Sequence, residues 1–271
     1  MINSISAVII TLNEENIISK CLESLDFVNE IIILDSFSTD RTIDIASKYN
    51  AKIFHHNFDN YANQRNRLFN LVSSSSKWIL MVDADEIVSK ELKDEVLKIT
   101  KDSNNSITLY NVRRKDIYNN QWMKYSSGYP TWFGRLFRKD QVWVEREINE
   151  EYHTNGNVGF LKEHLLHYPY NKGFSWWLSK HDKYSSMEAL ILSNNKITNI
   201  SFFNLFTKDP VKRRKIFKNY FYKLPFRPLL VFFILYFIRF GFLDGKLGFR
   251  VCLMRSFYEW MIDVKFSELS R

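Results

Sequence analysis

Four times in its first hundred residues the chain passes from a short, nearly unbroken apolar run into a segment with apolar residues at helical spacing. Nothing else in the sequence constrains the fold as much. The runs are residues 5–10, 31–34, 51–54 and 78–82, and the segments behind them are 13–25, 39–48, 60–71 and 89–100. In the first segment Ile17, Ile18, Cys21, Leu22 and Leu25 share one helical face; Asn13 is expected to cap that helix, and Thr39 the second. Strands that are apolar on both faces, each followed by an amphipathic helix, predict an α/β fold with a mostly parallel sheet covered on both sides. Ligands of such sheets bind beyond the carboxyl ends of the strands. The residues there are Thr11-Leu12-Asn13-Glu14-Glu15, Asp35-Ser36-Phe37-Ser38-Thr39-Asp40 and Asp83-Ala84-Asp85-Glu86.

Asp83 and Asp85 stand two residues apart after a buried strand. In extended backbone both carboxylates point to one side and suit a hard divalent cation. Mg²⁺ or Mn²⁺ held there can bridge a diphosphate and neutralise the charge that develops as it departs. A lone Asp-x-Asp is more often a solvated acidic turn; the two other polar clusters at neighbouring strand ends favour the site. Asp35 and Ser36, with the polar triplet after them, are placed to meet a base or ribose, although Thr39 also reads as a simple cap. Arg65, on the helix before the fourth strand, reaches a phosphate or lies solvated.

The series Val8-Ile9-Ile10-Thr11-Leu12-Asn13-Glu14-Glu15-Asn16, Cys21-Leu22-Glu23-Ser24-Leu25, Asp35 to Thr42, Ala62-Asn63-Gln64-Arg65-Asn66 and Asp83-Ala84-Asp85-Glu86 resembles family 2 glycosyltransferases. Downstream, Gly134-Arg135-Leu136-Phe137-Arg138, Val158-Gly159-Phe160-Leu161, Leu165-Leu166-His167-Tyr168 and Gly241-Phe242-Leu243-Asp244-Gly245 resemble the subgroup that adds glucose to the inner core of bacterial lipopolysaccharide. The resemblance implies a GT-A (Rossmann-like) fold, inverting transfer from a UDP-sugar such as UDP-glucose, and a divalent cation. It also implies an acceptor such as the lipopolysaccharide core or another surface glycan. Carried onto this chain, it assigns nucleotide-sugar contacts to Thr11, Leu12, Asn13, Glu15, Asp35, Ser36, Arg65, Asp83 and Ala84, and the metal to Asp83 and Asp85. A late histidine completes the metal shell in related transferases. Here that residue is His167, with a hydrogen-bonded histidine at the core edge as the alternative. Where the subgroup has His-Glu this chain has Asn149-Glu150. Inversion needs a base for the acceptor hydroxyl, and Glu150 is the candidate; the alternative is that it is one of several surface acids between Glu145 and Glu151.

Residues 1–200 are expected to form the transferase domain, with a nucleotide-sugar half at 1–105 and an acceptor half at 106–200, followed by a basic and aromatic helical tail at 201–271. A net charge of +8 and 23 Phe bear on that tail. Between Lys208 and Arg227 stand eight Lys or Arg and one acid, and then the apolar run 229–238. That run is about half of the ~20 residues that span a bilayer. It predicts a helix in the headgroup region of an anionic membrane, with a buried helix of a bundle, or a hairpin dipping into one leaflet, as alternatives. Lys212-Arg213-Arg214-Lys215 lacks any accompanying nucleic-acid fold signature, so a nucleic-acid partner is not expected. Neither a signal-peptide pattern nor paired cysteine spacing is present, and the expected location is cytoplasmic, on the inner face of the cell membrane. Two other classes stay open: an inactive sugar-nucleotide-binding scaffold, motivated by Asn149, and a nucleotidyltransferase, disfavoured by the lack of a glycine-rich phosphate loop.

Overall fold

The computed structural model describes residues 4–145, 151–193, 209–211, 213, 222, 224 and 226–269. Two compact units emerge, one from residues 1–117 and 133–171, the other from 118–132 and 172–271. The expected boundary at residue 200 lies outside the described residues.

The first unit is built on strands β1 (Ile5–Thr11), β2 (Glu30–Asp35), β3 (Lys52–His55), β4 (Trp78–Asp83), β5 (Glu86–Val88) and β6 (Ile107–Tyr118). After the two-residue β7 (Gln121–Trp122) come β8 (Thr131–Arg138), β9 (Trp143–Glu145), β10 (Glu151–His153) and β11 (Asn157–His167). The sheet order is β3-β2-β1-β4-β8-β6-β11-β5, while β9 and β10 form a separate antiparallel ribbon. β1 pairs in parallel with β2 and β4, β2 with β3, and β6 with β11; β8 and β5 join antiparallel. The mostly parallel α/β sheet read from the alternation is thus present.

Its faces follow from the two-residue period of a strand. Ile5, Ala7, Ile9, Leu80 and Val82 point into one core with helices α1 (Ile18–Glu23), α2 (Thr42–Ala46) and α4 (Lys90–Lys101). Val8, Ile32, Leu34, Ile79 and Met81 point into the other, under α3 (Tyr61–Asn70). Each such Val, Leu, Ile or Met side chain, taken fully out of water, contributes about 1.5–3 kcal/mol. α3 and α4 begin at the caps Asn60 and Ser89, whose side chains accept the N–H groups of Asn63 and Leu92.

The first two helices start differently from the sequence expectation. Asn13 and Thr39 cap neither of them. α1 begins at Ile18, behind a turn in which the Glu14 carbonyl accepts the N–H groups of Ile17 and Ile18. α2 begins at Thr42, whose N–H donates to Asp40 Oδ1 at 2.9 Å. The reason is tertiary: the Asn13 side chain is spent on the neighbouring loop, where it accepts the Thr39 N–H at 2.7 Å.

In the second unit α5 (Gly173–Ser193) packs with the long α7 (Gly245–Leu269), and α6 (Arg227–Phe233) packs on α7 as well. The apolar run expected as one helix is α6 continued by a π turn, Ile234–Ile238, and the chain then bends by 74° into 241–269. Among the described residues no single helix is long and apolar enough to cross a membrane. Most of the basic stretch 208–227 lies outside the described residues.

Candidate active site

Strand register brings the predicted donor residues to one edge of the sheet. Thr11 stands opposite Asp35 across β1 and β2, and Ile10 opposite Asp83 across β1 and β4. The loops behind β1 and β2 are stitched together. Asn13, in the left-handed region at φ 55°, donates its N–H to Ser38 Oγ at 2.8 Å. The N–H groups of Glu14 and Glu15 donate to Thr42 Oγ1 and Asp40 Oδ2, and the Glu15 carboxylate meets Arg41 at 3.3 Å. Asp35 is fully buried; it accepts the Ser38 N–H at 2.8 Å and Oγ–H at 2.5 Å and lies 3.3 Å from His55 Nδ1. The exposed Phe37 stacks on the His55 ring, with centroids 5.6 Å apart. The Ser36 N–H donates to the Thr11 carbonyl, and Thr11 Oγ1, although buried, has no hydrogen-bond partner. Leu12 is exposed at this edge, whereas the Ala84 side chain is packed into the core.

Beside this edge runs a line of paired charges. Asp83 lies between two arginines, 3.0 Å from Arg65 Nη1 at Oδ1 and 2.5 Å from Arg135 Nη2 at Oδ2. Burial alone favours the neutral acid, but Arg135, Arg65 and Arg114 hold the Asp83 carboxyl ionised far below the usual carboxylate range. Arg135 also donates to Glu86 Oε1 at 2.8 Å, and Glu86 Oε2 accepts the Asp83 N–H at 3.0 Å. Glu86 is fully buried, and that burial, aided by the neighbouring Asp83 charge, raises its pKa despite Arg135. Arg114 reaches Glu86 at 3.6 Å and Asp116 at 3.3 Å.

The last members of the line are His167, Asp85 and Asp116. β5, directly behind Asp85, pairs antiparallel with the end of β11, setting His167 opposite Glu86, and the Tyr168 N–H donates to the Asp85 carbonyl at 2.9 Å. β6 lies on the other side of β11 and sets Asp116 opposite His167. His167 Nδ1 is 2.7 Å from Asp116 Oδ1 and Nε2 is 3.4 Å from Asp85 Oδ2. Burial and Arg114 pull the His167 pKa down, but Asp85 and the hydrogen bonds to both carboxylates raise it to about 9.

Among the described residues no group of three His, Cys, Asp or Glu side chains is disposed to hold a metal. Asp83, Asp85 and His167 do not form such a group as they stand: both Asp83 oxygens are paired with arginines, and Asp85 faces His167. What remains fits a metal that takes few protein ligands. Mg²⁺-type ions are held by one or two carboxylates plus substrate phosphates, and a ligating histidine has its other nitrogen fixed by a carboxylate, as Asp116 fixes Nδ1 here. The buried, unpartnered Thr11 Oγ1 fits a ligand at the same edge.

Sequence reasoning missed Glu86, Arg114, Asp116 and Arg135. Glu86 and Arg135 lie within motifs already singled out, and the glycine before Arg135 also has a structural reason, since a Cβ on Gly134 would stand 2.8 Å from the Tyr152 ring. Arg114 and Asp116 carry no local signal. Asn66, from the motif that supplies Arg65, pairs its amide with the Val144 backbone at 2.8 and 2.9 Å and so ties α3 to β9. Glu150 lies outside the described residues; the flanking Glu145 and Glu151 are partners across the β9–β10 ribbon.

Residues 6–168 match the family model of glycosyl transferase family 2. The chain is 28% identical over 269 residues to the lipopolysaccharide core biosynthesis glycosyltransferase LpsC of Rhizobium meliloti (strain 1021), covering 96% of this chain and 91% of that protein. It is also 28% identical over 278 residues to the uncharacterized glycosyltransferase RC0292 of Rickettsia conorii (strain ATCC VR-613 / Malish 7), covering 98% and 90%. Among solved structures it is similar to glucosyl-3-phosphoglycerate synthase from Mycobacterium tuberculosis in complex with Mn²⁺, UDP-glucose and phosphoglyceric acid. The TM-score is 0.34 at 26% identity, and the match spans less than half of each, 43% of this chain and 44% of that one. A family model that covers more than half of the chain, and whose span contains every member of the strand-end cluster, makes this protein a glycosyltransferase of family 2, with the GT-A fold that its motifs implied.

Proposed function

We propose that the enzyme transfers glucose, with inversion, from UDP-glucose to a hydroxyl of a lipopolysaccharide-core or related surface glycan at the inner face of the cell membrane. The observation that carries this reading is the Asp116–His167–Asp85 line beside an arginine-held Asp83 at the edge where Thr11 and Asp35 also end. Asp35, Asn13 and Thr11 take the nucleoside, with Ser36, Leu12, Glu15 and the Ala84 backbone lining its path. Asp85 and His167 are the groups that would hold Mg²⁺ or Mn²⁺, which supplies an electrophile for the departing diphosphate. Asp116 keeps the His167 ring aimed, and Arg65 and Arg135 keep Asp83 charged and in place. Glu150 removes the proton of the acceptor hydroxyl. The acceptor class is supported by the similarity to LpsC, a glycosyltransferase of lipopolysaccharide core biosynthesis.

The test is donor turnover by the purified protein with Mn²⁺ and a panel of UDP-sugars. UDP-glucose is bound and slowly hydrolysed; Asp85→Ala loses both properties while staying folded, and Glu150→Gln keeps donor binding but loses transfer. A wild-type protein that binds no UDP-sugar in the presence of Mn²⁺ defeats the proposal.

A further inference from the structure

The chain between Phe226 and Phe257 exposes apolar surface that the transfer reaction does not use. Where the second unit bends, Phe237, Ile238, Phe240, Phe242 and Leu243 are 43–58% exposed within seven residues. The exposure continues along both arms, through Leu229 and Phe233 on α6 and through Phe249, Leu253 and Phe257 on α7. A patch of this extent on a water-soluble surface marks a contact with a protein or a membrane.

The corner is built to hold its shape. Phe240 takes the left-handed conformation at φ 61°, which turns the chain. Gly241 and Gly248 let the arms touch, since a Cβ on Gly248 would lie 2.2 Å from the Gly241 carbonyl oxygen. Asp244, buried, accepts the N–H groups of Tyr125 and Ser126 and the Ser126 hydroxyl at 2.7–2.9 Å, and its carbonyl accepts the Gln121 side-chain amide. The hydrogen bonds of the only acid between Phe226 and Phe257 are thus directed inward.

The exposed charges nearest the corner, Arg239, Lys246 and Arg250, are all positive, while Arg255, farther along α7, pairs with Glu259 at 3.5 Å. Lys246 and Arg250 share a shallow recess of about 520 Å³ with the rings of Tyr236, Phe242 and Phe249. The arm from Arg227 to Ile238 is about 18 Å long at ~1.5 Å per residue, too short for a hydrocarbon core of ~30 Å. Apolar side chains with a cationic rim, at a 74° bend between arms neither of which is by itself both long and apolar enough to span, match the interface of one anionic leaflet.

We infer that the bend at Phe237–Leu243 inserts into an anionic leaflet while Lys246 and Arg250, over the aromatic recess, hold a lipid phosphate. The inference rests on the membrane placement proposed above and names the element responsible.

The experiment is co-sedimentation of the full chain with phosphatidylcholine vesicles, with and without phosphatidylglycerol. Wild type binds the anionic vesicles. Phe240→Glu/Leu243→Glu, at two side chains more than half exposed, melts as wild type but binds at least about tenfold more weakly. Lys246→Ala/Arg250→Ala binds about 30-fold more weakly to anionic vesicles only, from roughly 1 kcal/mol per cation. Failure of wild type to bind overturns the membrane placement itself. Binding that survives Phe240→Glu/Leu243→Glu leaves that placement standing and overturns the corner. A wild-type dimer in solution that the same pair of substitutions makes monomeric assigns the face to a second copy and also overturns it.

Discussion

Arg135→Met tests the reasoning about the charged line most directly. Arg135 is 2% exposed and serves two carboxylates through one nitrogen, Asp83 at 2.5 Å and Glu86 at 2.8 Å. Methionine fills much of the same volume without the charge. Asp83 keeps Arg65 at 3.0 Å, so the loss falls on Glu86, which is left with Arg114 at 3.6 Å. Removing one partner of a buried pair costs about 3–5 kcal/mol; with Arg114 still near, about 3 kcal/mol is expected at pH 7. For a unit of this size that lowers Tm by roughly 6–12 °C. Burial already raises the Glu86 pKa and Arg135 opposes that rise, so the variant raises it further. A group with a raised folded pKa contributes stability that is complete below its unfolded value and is lost as pH rises through the folded value. Asp83 acts in the same sense, because it loses part of the depression that Arg135 provides. The deficit of Arg135→Met therefore shrinks toward about pH 4.5 and widens toward neutrality. Urea unfolding at several pH values measures it, and adding Glu86→Gln should restore about 2 kcal/mol by removing the uncompensated charge. A deficit below about 1 kcal/mol at pH 7, or the same deficit in the Glu86→Gln background, refutes the argument.

Two further outcomes follow from the geometry. Asp116→Asn removes the carboxylate that fixes His167 Nδ1 and should weaken Mn²⁺ binding roughly 10–100-fold, as read by calorimetry. Gly156→Ala would place a Cβ 2.0 Å from Thr108 Oγ1; overpacking of this kind costs about 1–3 kcal/mol, and a variant that melts with wild type would show that β6 and β11 approach less closely than described.

What was legible in the sequence was local. The two-residue period of the runs at 5–10 and 78–82 specified strands with two apolar faces, and the structure has a core on each. The strand-end rule then located Thr11, Asp35, Asp83 and Asp85, because a polar residue directly after a buried strand has little choice but to stand at the sheet edge. The length of the apolar run at 229–238 was legible too, since it needs only counting.

Pairing was not legible. Nothing in the sequence near Arg114 or Asp116 says that β6 will lie beside β11, or that β5 will fold back on the end of β11 to bring His167 to Asp85. The caps failed for the same reason: the Asn13 amide had a better partner in the neighbouring loop than in its own helix. Nor did the sequence say that Arg65 and Arg135 would stand on either side of Asp83. The run at 229–238 is helical as counted, but where the chain turns after it was decided by the left-handed Phe240 and the glycine contact. The sequence by itself determined the four parallel strands of the first half, the residues that end them, and the family. Tertiary structure decided which charges meet, because strand partners and burial depend on residues far away in the chain, and in a buried site these set both the direction of a side chain and its ionisation.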